Sequence, residues 1–173
     1  MGCLFLTTTR LHTIAYEKSR INLKLNDLNQ EMLDLQNYAA TIANNSISMS
    51  DMANTPSSMF SRLANFVNWS QMTSRNNTES VFANLSASGQ LQTSFGDANQ
   101  QMAYINSVKN SIFQQKMQSC IQVETKLLNA KETKIQQEIN KLQTRLEMLN
   151  AEEQSAKSAQ QESAQNSAPN YMA

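Results

Sequence analysis

The sequence predicts an all-α protein built on a long antiparallel helical hairpin of the coiled-coil kind. Two segments carry aliphatic residues at alternating three- and four-residue steps, the spacing of a helix that buries one narrow face. Glycine and proline are scarce, at three and two of 173 residues, which is too few for the turns of a many-stranded sheet. We also expect short helices in the connection between the two long helices and a disordered C-terminal tail.

The first long helix is predicted over residues 10–45, after a flexible N-terminus over residues 1–9. Its start is placed near Thr7–Thr9, because threonine hydroxyls can accept hydrogen bonds from the first unpaired amides of a helix. An almost unbroken row of aliphatic residues follows, with charged residues mostly on the outer faces. The residues expected to form its helix–helix interface are Ile14, Ile21, Leu25, Leu28, Met32, Leu35 and Ile42.

A polar connector is predicted over residues 46–96, with a short helix at about 56–72. Thr55 followed by Pro56 is typical of a helix cap and a first helical position. Val81, Phe82 and Leu85 suggest a further weak helical turn or two, and Gly89–Gly96 is the best candidate for a loop.

The connector helix carries an apolar face that has two interpretations. It either packs as a lid on the helix pair or forms a contact surface for another protein, and a membrane surface is disfavoured because only Arg62 and Arg75 flank it. The residues of this possible partner face are Met59, Phe60, Leu63, Phe66 and Trp69.

The second long helix is predicted over residues 97–155, with Asp97 as its cap and Gln100 placed to close a capping box. Its upstream apolar row is offset from the downstream row, which predicts a stutter between Gln114 and Leu127. Residues 156–173 are Ala-, Ser-, Gln- and Glu-rich and are expected to form the tail. The downstream residues expected at the helix–helix interface are Leu128, Ile135, Ile139, Leu142, Leu146 and Leu149.

These two apolar rows require burial, and the sequence leaves open whether they bury each other. In one arrangement the hairpin closes within one chain, and the connector folds over the helix pair. In the other, apolar length left unpaired is buried against another chain, in a dimer or a polymer.

Residue types that carry chemistry are sparse, and we predict neither an enzyme nor a cofactor or metal site. His12 is the one histidine, and Cys3 and Cys120 lie far apart in the sequence, so zinc-ligand and catalytic spacings are missing. The 14 basic and 14 acidic residues give a formal net charge of zero, which disfavours nucleic acid as a partner. No cleaved signal peptide or transmembrane segment is predicted, so we expect a cytoplasmic protein or one exported by a signal-peptide-independent route.

A short Asn-rich stretch consists of the fragments Ala43-Asn44-Asn45 and Met52-Ala53-Asn54-Thr55-Pro56. It resembles the Asn-rich patch that follows the N-terminal helix of rod and hook proteins, which are bacterial flagellar and type III secretion axial proteins. Ser57 stands where those proteins usually have glycine. The resemblance implies a secreted component that self-assembles into a rod or filament.

The sequence therefore favours a protein that works through contacts with other proteins. The leading expectation is a non-enzymatic helical scaffold or assembly protein that acts through coiled-coil contacts, with itself or with another helical protein. The first alternative is an exported axial, filament or translocator-like component of a bacterial type III or flagellar-type secretion apparatus. The second is an adaptor that binds a partner through the aromatic face at residues 59–69.

Overall fold

The all-α fold is confirmed by a computed structural model, which describes residues 2–43 and 47–167 of the chain. Of these residues 91% are helical and none lies in a strand, and the long final helix packs against the first. The helices formed by the described residues are α1 (Gly2–Ala43), α2 (Met49–Asn54), α3 (Ser57–Ala87) and α4 (Ala98–Ser167).

Helix α1 begins at Gly2, earlier than the sequence predicted, so residues 2–9 are helical. The hydroxyl of Thr9 donates to the Phe5 carbonyl at 3.0 Å, and Thr13 donates to the Thr9 carbonyl at the same distance. These threonine hydroxyls bond back along the helix instead of capping its first amides, which is why they did not mark its start. The helix ends at Ala43, and Asn44 and Asn45, the rest of the predicted span, lie outside the described residues.

The connector contains a second short helix, α2, which begins at a capping box. The Ser48 amide donates to the Asp51 carboxylate at 2.8 Å, and the Asp51 amide donates back to the Ser48 hydroxyl at 3.2 Å. Hydrogen bonds from the Ser48 amide and hydroxyl lower the pKa of Asp51. Thr55 does not cap α3 as predicted, because its hydroxyl donates to the Asp51 carbonyl at 2.8 Å, and Pro56 occupies the cap position instead.

Helix α3 runs to Ala87, well past the predicted end near residue 72. The prediction stopped where the large apolar residues stop, but Ser70, Ser74 and Thr78 continue the buried face. The helix ends in a Schellman motif, in which Gly89 donates to Ser86 and Gln90 donates to Leu85, at 3.2 and 3.1 Å. Gly89 adopts a φ of 67°, which a side chain would strain.

Helix α4 is continuous over 70 residues. Asp97 caps α4 as expected. Its carboxylate accepts the amide of Asn99 at 3.3 Å, one residue before Gln100. Residues 114–127 remain α-helical, and their buried side includes Cys120. Residues 156–167, expected to belong to the tail, are helical because they are good helix formers, and residues 168–173 lie outside the described part.

The described chain divides into two compact units, and both contain parts of α1 and α4. Unit 1 consists of Met1–Met32 and Thr133–Ala173, and unit 2 consists of Leu33–Glu132. Each unit has its own buried aliphatic residues, so the interfaces of each are described separately.

Candidate interaction surfaces

The buried centre of unit 1 is the aliphatic row that the sequence predicted. Ile14, Ile21 and Leu149 form a buried cluster, with Ile14 and Leu149 completely inaccessible. Leu25, Leu142 and Leu146 are partly buried and pack against this cluster. The unit 1 residues Leu28, Ile135 and Ile139 are also buried, and Met32 is half-buried.

A series of ion pairs joins the same two helical segments along the edge of this row. Arg10 pairs with Glu152, Glu17 with Arg145, and Lys24 with Glu138. Positions on α1 rise in steps of seven while their partners on α4 fall in steps of seven. This is the geometry of an antiparallel coiled coil, with one ion pair per heptad at its flank.

Glu153 adds a further connection between α1 and α4 in unit 1. Its carboxylate lies 2.6 Å from the ammonium groups of both Lys18 and Lys157. Hydrogen bonds from Lys157 and Lys18 lower the pKa of Glu153 to about 2, from an ordinary 4.5. Two cations on two helices therefore hold this carboxylate in its charged form.

Unit 2 is held by a different kind of contact, in which one carboxylate binds groups from two helices. Glu124 on α4 accepts the Tyr38 hydroxyl of α1 at 2.9 Å and the Arg62 Nε of α3 at 2.8 Å. The Arg62 guanidinium also lies over the Tyr38 ring, 5.5 Å from its centroid. Burial, followed by the hydrogen bond to Glu124, raises the pKa of Tyr38, so its hydroxyl stays protonated and donates.

The predicted interface residues of unit 2 lie beside this polar contact. Leu35 and Ile42 on α1 are completely buried, and Leu128 on α4 is buried as well. The aliphatic row and the Tyr38–Arg62–Glu124 cluster together join α1, α3 and α4 within the unit.

The possible partner face on α3 is divided between the core and the surface. Met59, Leu63 and Phe66 are buried, as expected of a lid that packs on the helix pair. Phe60 and Trp69 remain 47% and 43% exposed, and the ring of Trp69 lies 6.2 Å from that of Phe66. Most of this face is therefore unavailable to a partner.

With these contacts in place, the chain can be set beside known proteins. Comparisons with protein-family models, with curated proteins and with solved structures found no match. The contacts within the chain are therefore the guide to its function.

Two further properties bear on function and concern only the described residues. Among residues 2–43 and 47–167, no group of three or more His, Cys, Asp or Glu side chains is arranged to hold a metal ion. Over the same part of the chain, no helix combines the length and the apolar character needed to cross a membrane.

Sequence reasoning missed the polar residues that join the helices. The ion-pair series was visible as charges of alternating sign at positions 10, 17 and 24, mirrored at positions 138, 145 and 152. The small buried residues of α3 carried a weaker signal, a four-residue spacing from Ser70 to Ser74 to Thr78, with Ser74 3.9 Å from the Cys120 sulfur. Nothing in the sequence alone marked Tyr38, Arg62 and Glu124 as neighbours.

Proposed function

We propose that the protein is a non-enzymatic helical scaffold that acts through helix–helix contacts with copies of itself or with another helical protein. The observation that carries this proposal is the heptad-spaced series of ion pairs beside the buried aliphatic row of unit 1. A long, charge-flanked coiled coil presents extended helix surfaces, which are the parts that scaffolds use to bind other helices.

The polar cluster of unit 2 also supports a structural role. Tyr38, Arg62 and Glu124 are bonded to one another and link three helices. Groups held in this way stabilise a fold, since Glu124 provides a hydrogen-bond partner for both Tyr38 and Arg62. This supports a structural role for the cluster itself.

A scaffold of this kind must bind its partner outside the aliphatic row. The residues of the row are buried or partly buried within each unit, so a further chain has to use the outward faces of the helices. The adaptor alternative is weakened for a similar reason, because Met59, Leu63 and Phe66 lie on the buried side of α3.

Sedimentation of the purified full-length chain over a wide concentration range tests the proposal. We expect a mass that rises with concentration above the monomer mass of 19.4 kDa towards a defined small oligomer. A compact monomer at every concentration would contradict self-assembly. Polymers that keep growing would instead favour the exported filament component suggested by the resemblance to axial proteins.

A further inference from the structure

Helix α1 carries a second apolar stripe, on the side away from α4. In unit 1 the side chains of Phe5, Tyr16 and Leu23 are 75%, 65% and 65% exposed. These positions lie within about 20° of one another around the helix axis and about 180° from Ile14. The remaining steps of the stripe are filled by Thr9, His12 and Ser19, so its spacing alternates between four and three residues.

The outer face of α4 in the same unit has no comparable stripe. Over residues 133–165, whose side chains the structure describes, Met148 is the only large apolar residue that is exposed, at 58%. Exposed apolar residues in unit 1 are therefore concentrated on α1, which also exposes 70% of Leu6. Scattered apolar residues need no explanation, but an aligned set on one helix face does.

The size of the stripe is suited to pairing with an equal surface. With about 150–250 Å² per large side chain, the exposed parts of Phe5, Tyr16 and Leu23 amount to roughly 400 Å². Two such surfaces, with Leu6 and the polar flanks, approach the roughly 1,200 Å² at the lower end of specific protein interfaces. The stripe is about 27 Å long at 1.5 Å per residue, which suits a straight helix as its partner.

The stripe is also complementary to itself when two copies run antiparallel. Phe5 then faces Leu23 of the second copy, Thr9 faces Ser19, and His12 faces Tyr16. Arg20 lies opposite Thr8, whereas a parallel pair in register would set Arg20 against Arg20. The α1 residues Arg10, Glu17 and Lys24 are already paired with α4 and bring no unpaired charge to the contact.

We propose that this outer face of α1 binds the same face of a second copy in antiparallel orientation. This proposal rests on the proposed scaffold function. It specifies the partner of the scaffold, the surface that binds and the register of the two helices. A two-fold axis passes near the level of Ile14, so both copies contribute the same residues to the contact.

A matched pair of variants tests the surface. Leu23→Asp places a carboxylate in the stripe twice per dimer, and we expect the dimer dissociation constant to rise at least about a hundredfold. Met148→Asp makes the same kind of change at an exposed position on α4, and we expect the dissociation constant to stay within about threefold. Sedimentation equilibrium measures both, and circular dichroism should show unchanged helix content in both.

Paired cysteines test the register independently of any loss of stability. In a Cys3→Ser background, Thr9→Cys combined with Ser19→Cys should give disulfide-linked dimers under mild oxidation, because these positions face each other across the two-fold axis. Thr9→Cys alone should give few, since its two copies would be about 15 Å apart along the axis.

The two tests separate this contact from the scaffold function. Association that survives Leu23→Asp, together with no cross-link from the cysteine pair, would overturn the α1 contact and leave self-assembly through another face. A wild-type chain that is monomeric at every concentration would overturn both the α1 contact and self-assembly. Equal loss of association in Leu23→Asp and Met148→Asp would also overturn the surface proposed here.

Discussion

The carboxylate of Glu124 satisfies two polar groups that the packing of unit 2 removes from water. Its own side chain is 12% exposed and that of Arg62 is 33% exposed, so this ion pair is better shielded than a surface pair. Removing one member of such a cluster costs more than the pair contributes, because the others keep their desolvation cost without a partner.

Glu124→Ala is therefore expected to lower the free energy of unfolding by about 2–3 kcal/mol. The matched control is Glu79→Ala, which breaks the pair with Lys109, where the Glu79 side chain is 67% exposed. That change should cost less than about 1 kcal/mol, since exposed pairs are screened by solvent. Urea unfolding followed by circular dichroism measures both, and equal losses would show that the Tyr38–Arg62–Glu124 cluster has no special role.

Residue positions differ in how far the sequence could predict them. The burial of Ile14, Ile21 and Leu149 could be predicted from their spacing alone, because an aliphatic side chain is more stable in the core than in water. Tyr38 and Glu124 could not be paired in advance, since a polar side chain is as stable in water as in a well-made contact. Their proximity depends on the packing of three helices.

At the level of the helices, alternating charge along α1 favours one alignment of α1 and α4 in unit 1. The signs at positions 10, 17 and 24 are plus, minus and plus, and those of their partners are reversed. A slip of one heptad would set Arg10 against Arg145 and Glu17 against Glu138. Because such a slip would bring like charges together at these steps, the charges favour the observed register.

An exchange of charges tests this selection. Glu17→Arg alone and Arg145→Glu alone should each lower the unfolding midpoint, because each puts like charges together. The double variant should recover most of the loss, with a coupling of about 0.5 kcal/mol because both side chains are substantially exposed. Thermal unfolding of the two single variants and the double variant measures this coupling. Strictly additive effects would show that the Glu17–Arg145 ion pair does not stabilise the fold.

Acid should weaken both ion pairs of Glu153, the one with Lys157 on α4 and the one with Lys18 on α1. The pKa of Glu153 is lowered to about 2 in the folded chain, below the ordinary 4.5, so its contribution is present above pH 4.5 and is lost as the pH falls towards 2. Glu153→Gln should flatten the dependence of unfolding stability on pH over that window, and high salt should do the same. If Glu153→Gln loses stability at low pH as the wild type does, other carboxylates cause the pH dependence.

The ends of the helices illustrate what local sequence can and cannot decide. The loop predicted from Gly89 was placed correctly, although the helix before it was ended too early, because the positive φ of Gly89 is a local requirement that few other residues meet. The interior of α3 from residue 73 onward was missed because Ser74 and Thr78 look like surface residues. Their burial follows from close helix packing, in which the Thr78 hydroxyl is satisfied by the Ser74 carbonyl at 2.7 Å.

At the scale of the whole molecule, the division into two units predicts that damage stays local. Leu142 packs against the Ile14–Ile21–Leu149 cluster of unit 1. Leu142→Asp should place an unpaired charge in that contact and cost about 3 kcal/mol or more. Hydrogen exchange should then speed up over residues 8–32 and 133–160 while protection persists in the buried parts of unit 2.

Met148→Asp is the control, since Met148 is exposed on the same helix. It should leave exchange close to that of the wild type in both units. Uniform loss of protection across the chain in Leu142→Asp would mean that the two units unfold as one. Unchanged exchange would mean that Leu142 does not contribute to the core.

The overall class of the fold was predictable because it depends on periodicity, which the sequence displays directly. The two-unit organisation was not, because nothing in the continuous helical patterns of α1 and α4 marks Met32 or Glu132 as a boundary. A boundary of this kind depends on which segments contact each other, and the sequence pattern of a single helix does not contain that information.

Trp69 gives the protein an optical reporter that requires no label. It is the only tryptophan in the chain, and it sits half-exposed beside the buried Phe66. Its emission spectrum and its accessibility to a soluble quencher such as iodide therefore depend on whether α3 is docked. Undocking should shift the emission to longer wavelengths and increase quenching even where the α-helical content of α3 is unchanged, so docking can be followed separately from helix formation.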